Sequence, residues 1–181
     1  MKTWFTDRIS NVKPTEFFSL IEKNKVHINH TFPVTVSLCD TLDKTTAFFI
    51  KATNNEERGE NYYFFLRDAS SNSLIGYVCV KNIILSIMKA ELAYFIDATY
   101  QGRGIITRAV SEVADFCFNT LGFNKIYICA NPENHGSKKV ALKNGFIQEG
   151  ILRNEFKNMH GVLEDVVYYG LLRSEYKNNE R

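Results

Sequence analysis

The 181 residues are 45% hydrophobic, which is enough for one domain with a substantial core. The 22 basic and 20 acidic residues are well mixed and leave a net charge of +2, so the sequence lacks the polybasic block that attracts nucleic acid or an anionic membrane surface. We therefore expect a single domain without a nucleic-acid or membrane partner.

Neither the cysteines nor the histidines form a recognisable metal or disulfide pattern. The four cysteines are scattered, and three lie inside apolar runs, as is typical of reduced core residues. His27 and His30 are three residues apart, but no Cys, Asp or Glu accompanies them in a zinc-ligand spacing, and we expect no metal. Residues 1–10 lack an apolar signal core, and the longest uncharged apolar run, residues 82–88, is too short to span a bilayer. A cytoplasmic location is the default expectation.

Two helices are predicted before the first strand. Residues 13–30 begin with Pro14, which suits an early helical position, and they carry a rough apolar face. A second helix begins near Thr41 and frays into the charged residues 54–60. Residues 32–34 between them form a predicted loop, whose aromatic residue either packs between the helices or lines a substrate site.

The remaining chain alternates between strand-like and helix-like patterns. Aromatic and β-branched residues at 62–66 and 74–80 flank a polar turn and predict a hairpin. After an irregular segment at 81–89, the predicted elements are a strand at 90–96, a helix at 105–121 ended by Gly122, a strand at 125–130, a helix at 135–144 closed by Gly145, a strand at 146–156, a turn at 158–161 and a strand at 162–172.

The turn at residues 100–107 is the first candidate for function. It joins a predicted strand directly to a helix, and glycines stand on both sides of Arg103. A helix start has unpaired N–H groups, and glycine lets backbone approach a bound group, so this geometry suits a pyrophosphate. An ordinary strand-to-helix turn is the alternative. A dinucleotide-binding Rossmann turn is excluded, because Thr107 stands where its third glycine should be and the turn lies in mid-chain.

Four segments in order resemble the GNAT superfamily of N-acetyltransferases, and within it the RimJ/RimL-type branch of ribosomal-protein N-terminal acetyltransferases. They are residues 90–105, similar to the acetyl-CoA motif Gln/Arg-x-x-Gly-x-Gly/Ala; residues 132–137, similar to the branch's Asn-x-x-Ser; residues 143–153 around a Gly-Phe pair; and residues 161–169, similar to the branch's final Asp-x-Val-x-Tyr strand. The resemblance covers residues 90–176. The first eighty residues match only in having two helices before a hairpin.

Two positions depart from the family's pattern. Ile106 stands where the broad family has Gly or Ala, so close backbone approach would rely on Gly102 and Gly104 alone. Ala141 stands where many relatives carry a tyrosine acid. The branch is thought to use the Ser of Asn-x-x-Ser instead, which implies Ser137 as the acid that protonates the leaving thiolate.

The resemblance implies an α+β GNAT fold, with a central mixed, mostly antiparallel sheet of about seven strands and about four helices, splayed at the acetyl-CoA site. It implies one domain over residues 1–181, in which 1–60 form a helical acceptor-side region and 90–176 the acetyl-CoA-binding core. Acetyl-CoA is the implied cosubstrate. The residues implied to bind it are Tyr94, Phe95, Ile96, Gln101, Gly102, Arg103, Gly104, Ile105, Ile106, Thr107, Asn131, Asn134 and Ser137.

Acetyl transfer also needs an acid for the sulfur and a neutral amine. Ser137 is the candidate acid; the candidate bases are Glu91 and Glu155, with Asp97 and His160 behind them, and each is also a plausible surface residue. For Asn134, capping of the following helix competes with a cofactor contact.

The expected acceptor is a primary amine. An α-amine has a pKa of about 8, whereas a lysine near 10.4 needs roughly 4 kcal/mol to lose its proton, so the lack of a conspicuous carboxylate pair favours a protein or peptide N-terminus. A small amine of the polyamine or aminoglycoside type is the alternative, and a non-catalytic acyl-CoA-binding module is a third reading. Homodimerisation, common in such enzymes, stays open because the sequence contains no interface signature.

Overall fold

The structure is a computed structural model that describes residues 3–177. Within this range the chain forms seven strands and six α-helices. In chain order they are β1 Trp4–Arg8, α1 Pro14–Ile28, α2 Pro33–Leu38, α3 Leu42–Glu57, β2 Tyr62–Asp68, β3 Leu74–Ile84, β4 Lys89–Ile96, α4 Ile105–Asp115, β5 Lys125–Ala130, α5 His135–Lys143, β6 Ile147–Lys157, β7 Leu163–Leu172 and α6 Arg173–Lys177. No helix of residues 3–177 is long and apolar enough to cross a bilayer.

The strands form one mixed sheet in the order β1-β2-β3-β4-β5-β7-β6. Strand β1 pairs antiparallel with β2, and β7 pairs antiparallel with both β5 and β6. Strand β4 pairs parallel with β5. The α+β prediction of a mixed sheet of about seven strands is confirmed, with more helices than the four expected.

The described chain divides into two compact units. Unit 1 contains residues 3–79 and 94–106, and unit 2 contains residues 80–93 and 107–177. The expectation of a single domain over residues 1–181 stays a prediction.

The core of unit 1 is an aromatic cluster centred on Phe17 of α1, whose side chain is completely buried. The Phe17 ring centroid lies 5.3 Å from that of Tyr77 on β3, 5.4 Å from Phe65 on β2 and 5.8 Å from Phe49 on α3. Phe95 near the end of β4 joins the cluster at 6.4 Å. Aromatic pairs at these separations stabilise beyond the area they bury, so α1 fixes the end of β4 through side-chain packing.

A buried arginine ties the first elements of unit 1 together. Arg67 on β2 is 3% exposed, and its Nε lies 2.6 Å from a carboxylate oxygen of Asp7 on β1. Its Nη1 donates to Glu16 on α1 at 2.8 Å and to the carbonyl of Asn72 at 2.8 Å. Trp4 on β1 is also buried, at 2% exposure.

In unit 2, a stripe of α4 packs into the core together with β5 and β7. The buried side chains are Ala109, Val110, Val113, Ala114, Ile126, Ile128 and Leu171. Helix α4 continues through a π-helical turn at Phe116–Thr120, and Gly122 follows with a φ of +71°. The predicted glycine cap after this helix is confirmed, because left-handed φ is the conformation that glycine adopts without strain.

Three local predictions are wrong. The loop predicted at residues 32–34 leads directly into the short helix α2, in which Pro33 is the first residue. Residues 81–84, predicted as irregular, continue β3, and residues 85–87 form a 3₁₀ turn. Strand β1 was not predicted, because its five residues show no alternation and owe their conformation to pairing with β2.

Candidate functional site

The glycine turn of unit 1 leads from β4 to the N-terminus of α4. Gly102 has a φ of +74° and Gly104 a φ of +73°, the left-handed region that disfavours other residues. A Cβ atom added to either glycine would meet nothing within 4 Å, so space lies open on the side that a side chain would occupy. Residues 101–104 are all exposed, and Ile105 begins the helix. The turn therefore combines open backbone with a helix N-terminus, and its predicted role in anion binding stays a prediction.

Asp97 supports the start of this turn and is itself 1% exposed. Its carboxylate accepts from the Thr99 N–H at 2.9 Å and the Thr99 hydroxyl at 2.7 Å, and it lies 2.6 Å from Lys23 Nζ. Burial raises the pKa of Asp97, but the Lys23 ammonium and the Thr99 hydrogen bonds outweigh burial and hold the pKa at about 2. A carboxylate so stabilised in its charged form is a poor base, so Asp97 is a structural anchor.

The two polar side chains of the turn have partners within unit 1. Arg103 donates to the Thr99 carbonyl at 2.9 Å, and its guanidinium carbon lies 4.8 Å from the ring centroid of Tyr100. The Gln101 amide nitrogen lies 2.8 Å from His27 Nε2. Arg103 is thus held beside the turn on an aromatic face, where its charge remains exposed.

Strand β4 is longer than its parallel pairing with β5. The parallel register pairs Lys89, Ala90 and Glu91 with Lys125, Ile126 and Tyr127. Among the described residues the register ends there, although β4 continues to Ile96. Tyr94 is half-buried, while Phe95 and Ile96 are buried in unit 1. The parallel ladder with β5 is therefore shorter than strand β4.

Glu91 lies in a polar cluster of unit 2 with its side chain 11% exposed. Its carboxylate accepts from Asn82 Nδ2 at 2.7 Å and lies 3.2 Å from Lys81 Nζ. Burial, and then the Glu91 charge, raise the pKa of Tyr127 to about 12. Both Glu91 oxygens therefore have partners, an arrangement that the sequence did not reveal.

A tyrosine pair lies beside this cluster. The rings of Tyr127 and Tyr168 stack with centroids 4.7 Å apart, and Lys89 Nζ lies 4.9 Å from the Tyr127 centroid. Burial raises the pKa of Tyr168 far above its ordinary value, and the neighbouring Tyr127 adds to the shift. Tyr168 therefore keeps its proton at neutral pH and can donate a hydrogen bond.

The loop after β5 positions Ser137 in the first turn of α5. Asn134 is the N-cap of α5, and its side-chain oxygen accepts from the Ser137 N–H at 3.0 Å. Asn131 donates to Glu164 at 2.9 Å and accepts from the Glu133 N–H at 2.9 Å. The structure thus gives Asn134 the capping contact and Asn131 a bridge to β7.

Glu164 extends this bridge to the turn between β6 and β7. Its second oxygen accepts from Asn158 Nδ2 at 2.6 Å, and the Asn158 oxygen accepts from the His160 and Val162 N–H groups. Glu155 and His160 are both exposed. Sequence reasoning missed Glu164, and only its place in the final strand motif could have drawn attention to it.

The predicted site residues thus fall into two sets, one in each unit. Gln101, Arg103 and the two glycines lie together in unit 1; Glu91 and Ser137 lie in unit 2. Within residues 3–177 no group of three His, Cys, Asp or Glu side chains could hold a metal ion.

Residues 15–147 match the family model described as the acetyltransferase (GNAT) domain. The chain belongs to the GNAT acetyltransferase family. The RimJ/RimL-type resemblance is also confirmed by relatives and structural neighbours of that kind.

Curated relatives of this GNAT protein differ in what their names say they act on. It is 40% identical over 110 residues to the probable N-acetyltransferase YjcK of Bacillus subtilis, covering 60% of each chain. It is 30% identical over 152 residues to the ribosomal-protein-serine acetyltransferase of Escherichia coli, covering 82% of this chain and 81% of the relative. It is 32% identical over 115 residues to a spermidine N(1)-acetyltransferase of Vibrio cholerae, covering 64% and 65%.

Solved structures confirm the GNAT fold. The ribosomal-protein-S5-alanine acetyltransferase from Vibrio fischeri superimposes with a TM-score of 0.85 at 20% identity, covering 97% of this chain and 96% of that chain.

Proposed function

We propose that the protein is an acetyl-CoA-dependent N-acetyltransferase that acts on a primary amine. The observation that carries this proposal is the open glycine turn between β4 and α4, in which two left-handed glycines leave space beside a helix N-terminus. That space suits a pyrophosphate, which backbone N–H groups and the helix dipole both stabilise. Membership of the GNAT family supports acetyl-CoA as the bound molecule.

The chain's own residues would divide the work as follows. The N–H groups of residues 101–107 hold the phosphates, with Arg103 as a charge partner. Backbone N–H groups at Tyr94–Ile96 polarise the reacting carbonyl, and Asn131 and Asn134 support or contact the cofactor. When bound, acetyl-CoA supplies an acetyl group activated as a thioester.

Ser137 donates the proton that the departing sulfur needs, since it lies at the start of α5 where the branch has its serine. Glu91 and Glu155 remain the candidates for the base. Glu91 is the better placed for a direct role in a water-poor environment, because it is nearly buried and Glu155 is exposed.

The preferred acceptor is the N-terminal α-amine of a protein or peptide, such as a ribosomal protein. An α-amine with a pKa of about 8 is partly neutral near pH 7 and needs less help from a base than a more basic amine does. This difference in pKa supports an acceptor with an α-amine. A cytoplasmic location and a homodimer stay predictions.

The test is release of free thiol from acetyl-CoA in the presence of defined amines. Peptides with free N-termini should support turnover, and the same peptides with acetylated N-termini, the matched controls, should not. Turnover with spermidine but not with peptides would contradict the peptide proposal. Binding of CoA without turnover on any amine would contradict catalysis and identify a binding module.

Polyamine acetylation is the second candidate. The spermidine acetyltransferase of Vibrio cholerae supports it, although that relative aligns with less of this chain than the ribosomal-protein enzyme does.

A further inference from the structure

Three side chains of α1 contact residues 97–101, which lead into the glycine turn. Lys23 Nζ lies 2.6 Å from the Asp97 carboxylate. The Asn24 oxygen accepts from the Ala98 N–H at 3.0 Å, and His27 Nε2 lies 2.8 Å from the Gln101 amide nitrogen. His27 lies four positions after Lys23 and three after Asn24, so its side chain adjoins both on the helix surface. We call these three residues the α1 latch.

Asn24 is the buried member of the latch, with 3% exposure. Its oxygen accepts from Ala98, and its amide nitrogen donates to the Leu20 carbonyl at 3.0 Å. A buried amide of this kind must find partners for both ends, and here it couples the backbone of α1 to the backbone of residue 98.

His27 is exposed, as Lys23 is, and its contact reaches the residue immediately before Gly102. The Gln101 amide nitrogen can only donate, so His27 accepts at Nε2 and carries its proton on Nδ1 when the imidazole is neutral.

The glycines give the latch its significance. Glycine has more backbone freedom than any other residue, so a turn with two left-handed glycines gains little rigidity from its own sequence. Binding that must first order such a turn is weaker than binding to a turn already held in place. Contacts from a rigid helix to residues 97, 98 and 101 supply that order.

We propose that the α1 latch positions the glycine turn for the cofactor, and that His27 is a positioning residue for acetyl-CoA binding. The inference rests on the proposed function for the identity of the ligand. It assigns to α1, which belongs to the helical acceptor-side region, a second role in cofactor affinity. His27 acts through Gln101 and does not itself touch the cofactor.

The experiment compares His27→Leu, His27→Gln and the wild-type chain by calorimetric titration with CoA. His27→Leu should weaken CoA binding by about two- to tenfold, the effect of one hydrogen bond. His27→Gln keeps an acceptor for the Gln101 amide and should restore most of the affinity. Ser19→Ala, a change at an exposed α1 residue whose hydroxyl donates to the Thr15 carbonyl at 2.9 Å, should bind as the wild type does.

Two further measurements separate positioning from a structural role. The KM for acetyl-CoA should rise in His27→Leu while kcat and the melting temperature stay unchanged, because the side chain is exposed. Amide exchange at residues 102–106 in the free protein should become faster in His27→Leu, which requires no ligand.

The outcomes distinguish this inference from the proposed function. The latch alone would be overturned if the wild type binds CoA and His27→Leu binds it with the same affinity. It would also be overturned if His27→Leu and His27→Gln lose CoA affinity equally. A wild-type chain that binds no CoA would overturn the proposed function and the inference together.

Discussion

Three glycines of this chain allow backbone strain to be separated from simple bulk. A Cβ atom added at Gly102, Gly104 or Gly150 would meet nothing within 4 Å, but only Gly102 and Gly104 have left-handed φ values. Substitution at Gly150 on β6 therefore tests an added methyl without conformational strain. Substitution at Gly104 adds the strain and also fills the space assigned to the phosphates.

We expect Gly104→Ala to destabilise the fold by about 1 kcal/mol, the cost of placing a residue with a Cβ in the left-handed region. The substitution should also weaken CoA binding, and by more than the loss of fold stability alone would cause. Thermal unfolding and CoA titration measure the two effects, with Gly150→Ala as the control that leaves both unchanged. Equal CoA affinity in Gly104→Ala and Gly150→Ala would contradict the phosphate assignment.

Ser137 tests the catalytic half of the proposal. Ser137→Ala should lower turnover by about a hundredfold or more, the usual contribution of a general acid, with CoA affinity nearly unchanged. The rate is measured by thiol release at saturating acetyl-CoA. Ser111→Ala, at an exposed serine on α4, is the matched control. An unaltered rate in Ser137→Ala would indicate that water or Tyr168 donates the proton to the sulfur instead.

At the scale of elements, the buried Arg67 cation joins β1, α1 and β2 in addition to their apolar packing. Arg67 is nearly inaccessible, whereas Asp7 and Glu16 keep side-chain exposures of 19% and 33%. The cation therefore suffers most of the desolvation, and its loss leaves two carboxylates facing each other's charge.

We expect Arg67→Met to lower the free energy of unfolding by about 3 kcal/mol, the lower end of the range for breaking a buried ion pair, since its partners are partly solvated. Lys44→Met removes an exposed cation from its pair with Asp40 and should change stability by about 0.5 kcal/mol or less. Urea unfolding measures both. Equal effects of the two substitutions would show that the Arg67 cluster contributes no more than a surface pair.

The elements that the sequence predicted are those with local signals. Thr41 near the start of the second helix, Pro14 at the start of α1 and the glycines that end α4 and α5 each act within a few residues, and the structure confirms the elements they mark. Helix α2 was not predicted because its N-cap residue, Phe32, has no side chain that can cap a helix by a hydrogen bond. Only Pro33 marks its start.

The site was predictable to a similar extent. The glycine turn and the Asn134 cap could be located from short motifs, and their local geometry is as expected. The contact between His27 and Gln101 joins residues 74 positions apart, and the Lys81 and Asn82 partners of Glu91 depend on β3 continuing beyond Val80. No local pattern encodes such tertiary contacts, so they could not be predicted.

At the scale of the whole molecule, stability should depend on pH through carboxylates whose pKa values fall on folding. Lys23 and Thr99 hold the pKa of Asp97 at about 2 against an ordinary value of 3.8, despite burial, which acts in the opposite direction. A hydrogen bond from Arg67 lowers the pKa of Glu16 below its ordinary value of 4.5. Each group stabilises the folded state above its unfolded pKa, and this stabilisation is lost as pH falls through the folded pKa.

We therefore expect constant contributions from these groups above about pH 5, and a loss of about 2 kcal/mol from Asp97 alone as the pH falls from 4 to 2. Urea midpoints at pH 6, 4, 3 and 2 measure the decline. Lys23→Met removes the cation that lowers the Asp97 pKa, so this variant should lose less stability over the same interval. A wild-type midpoint that is unchanged between pH 6 and pH 3 would contradict the assignment.

Trp4 is the single tryptophan of the sequence and lies buried on β1 in unit 1. Its indole is therefore a natural fluorophore that reports on one unit without any label. Because the emission of a buried indole moves to longer wavelength when water reaches it, the spectrum follows the release of β1 from β2. The fluorescence of the unmodified chain can thus be compared with circular dichroism, which reports on both units, to determine whether they unfold in one transition or two.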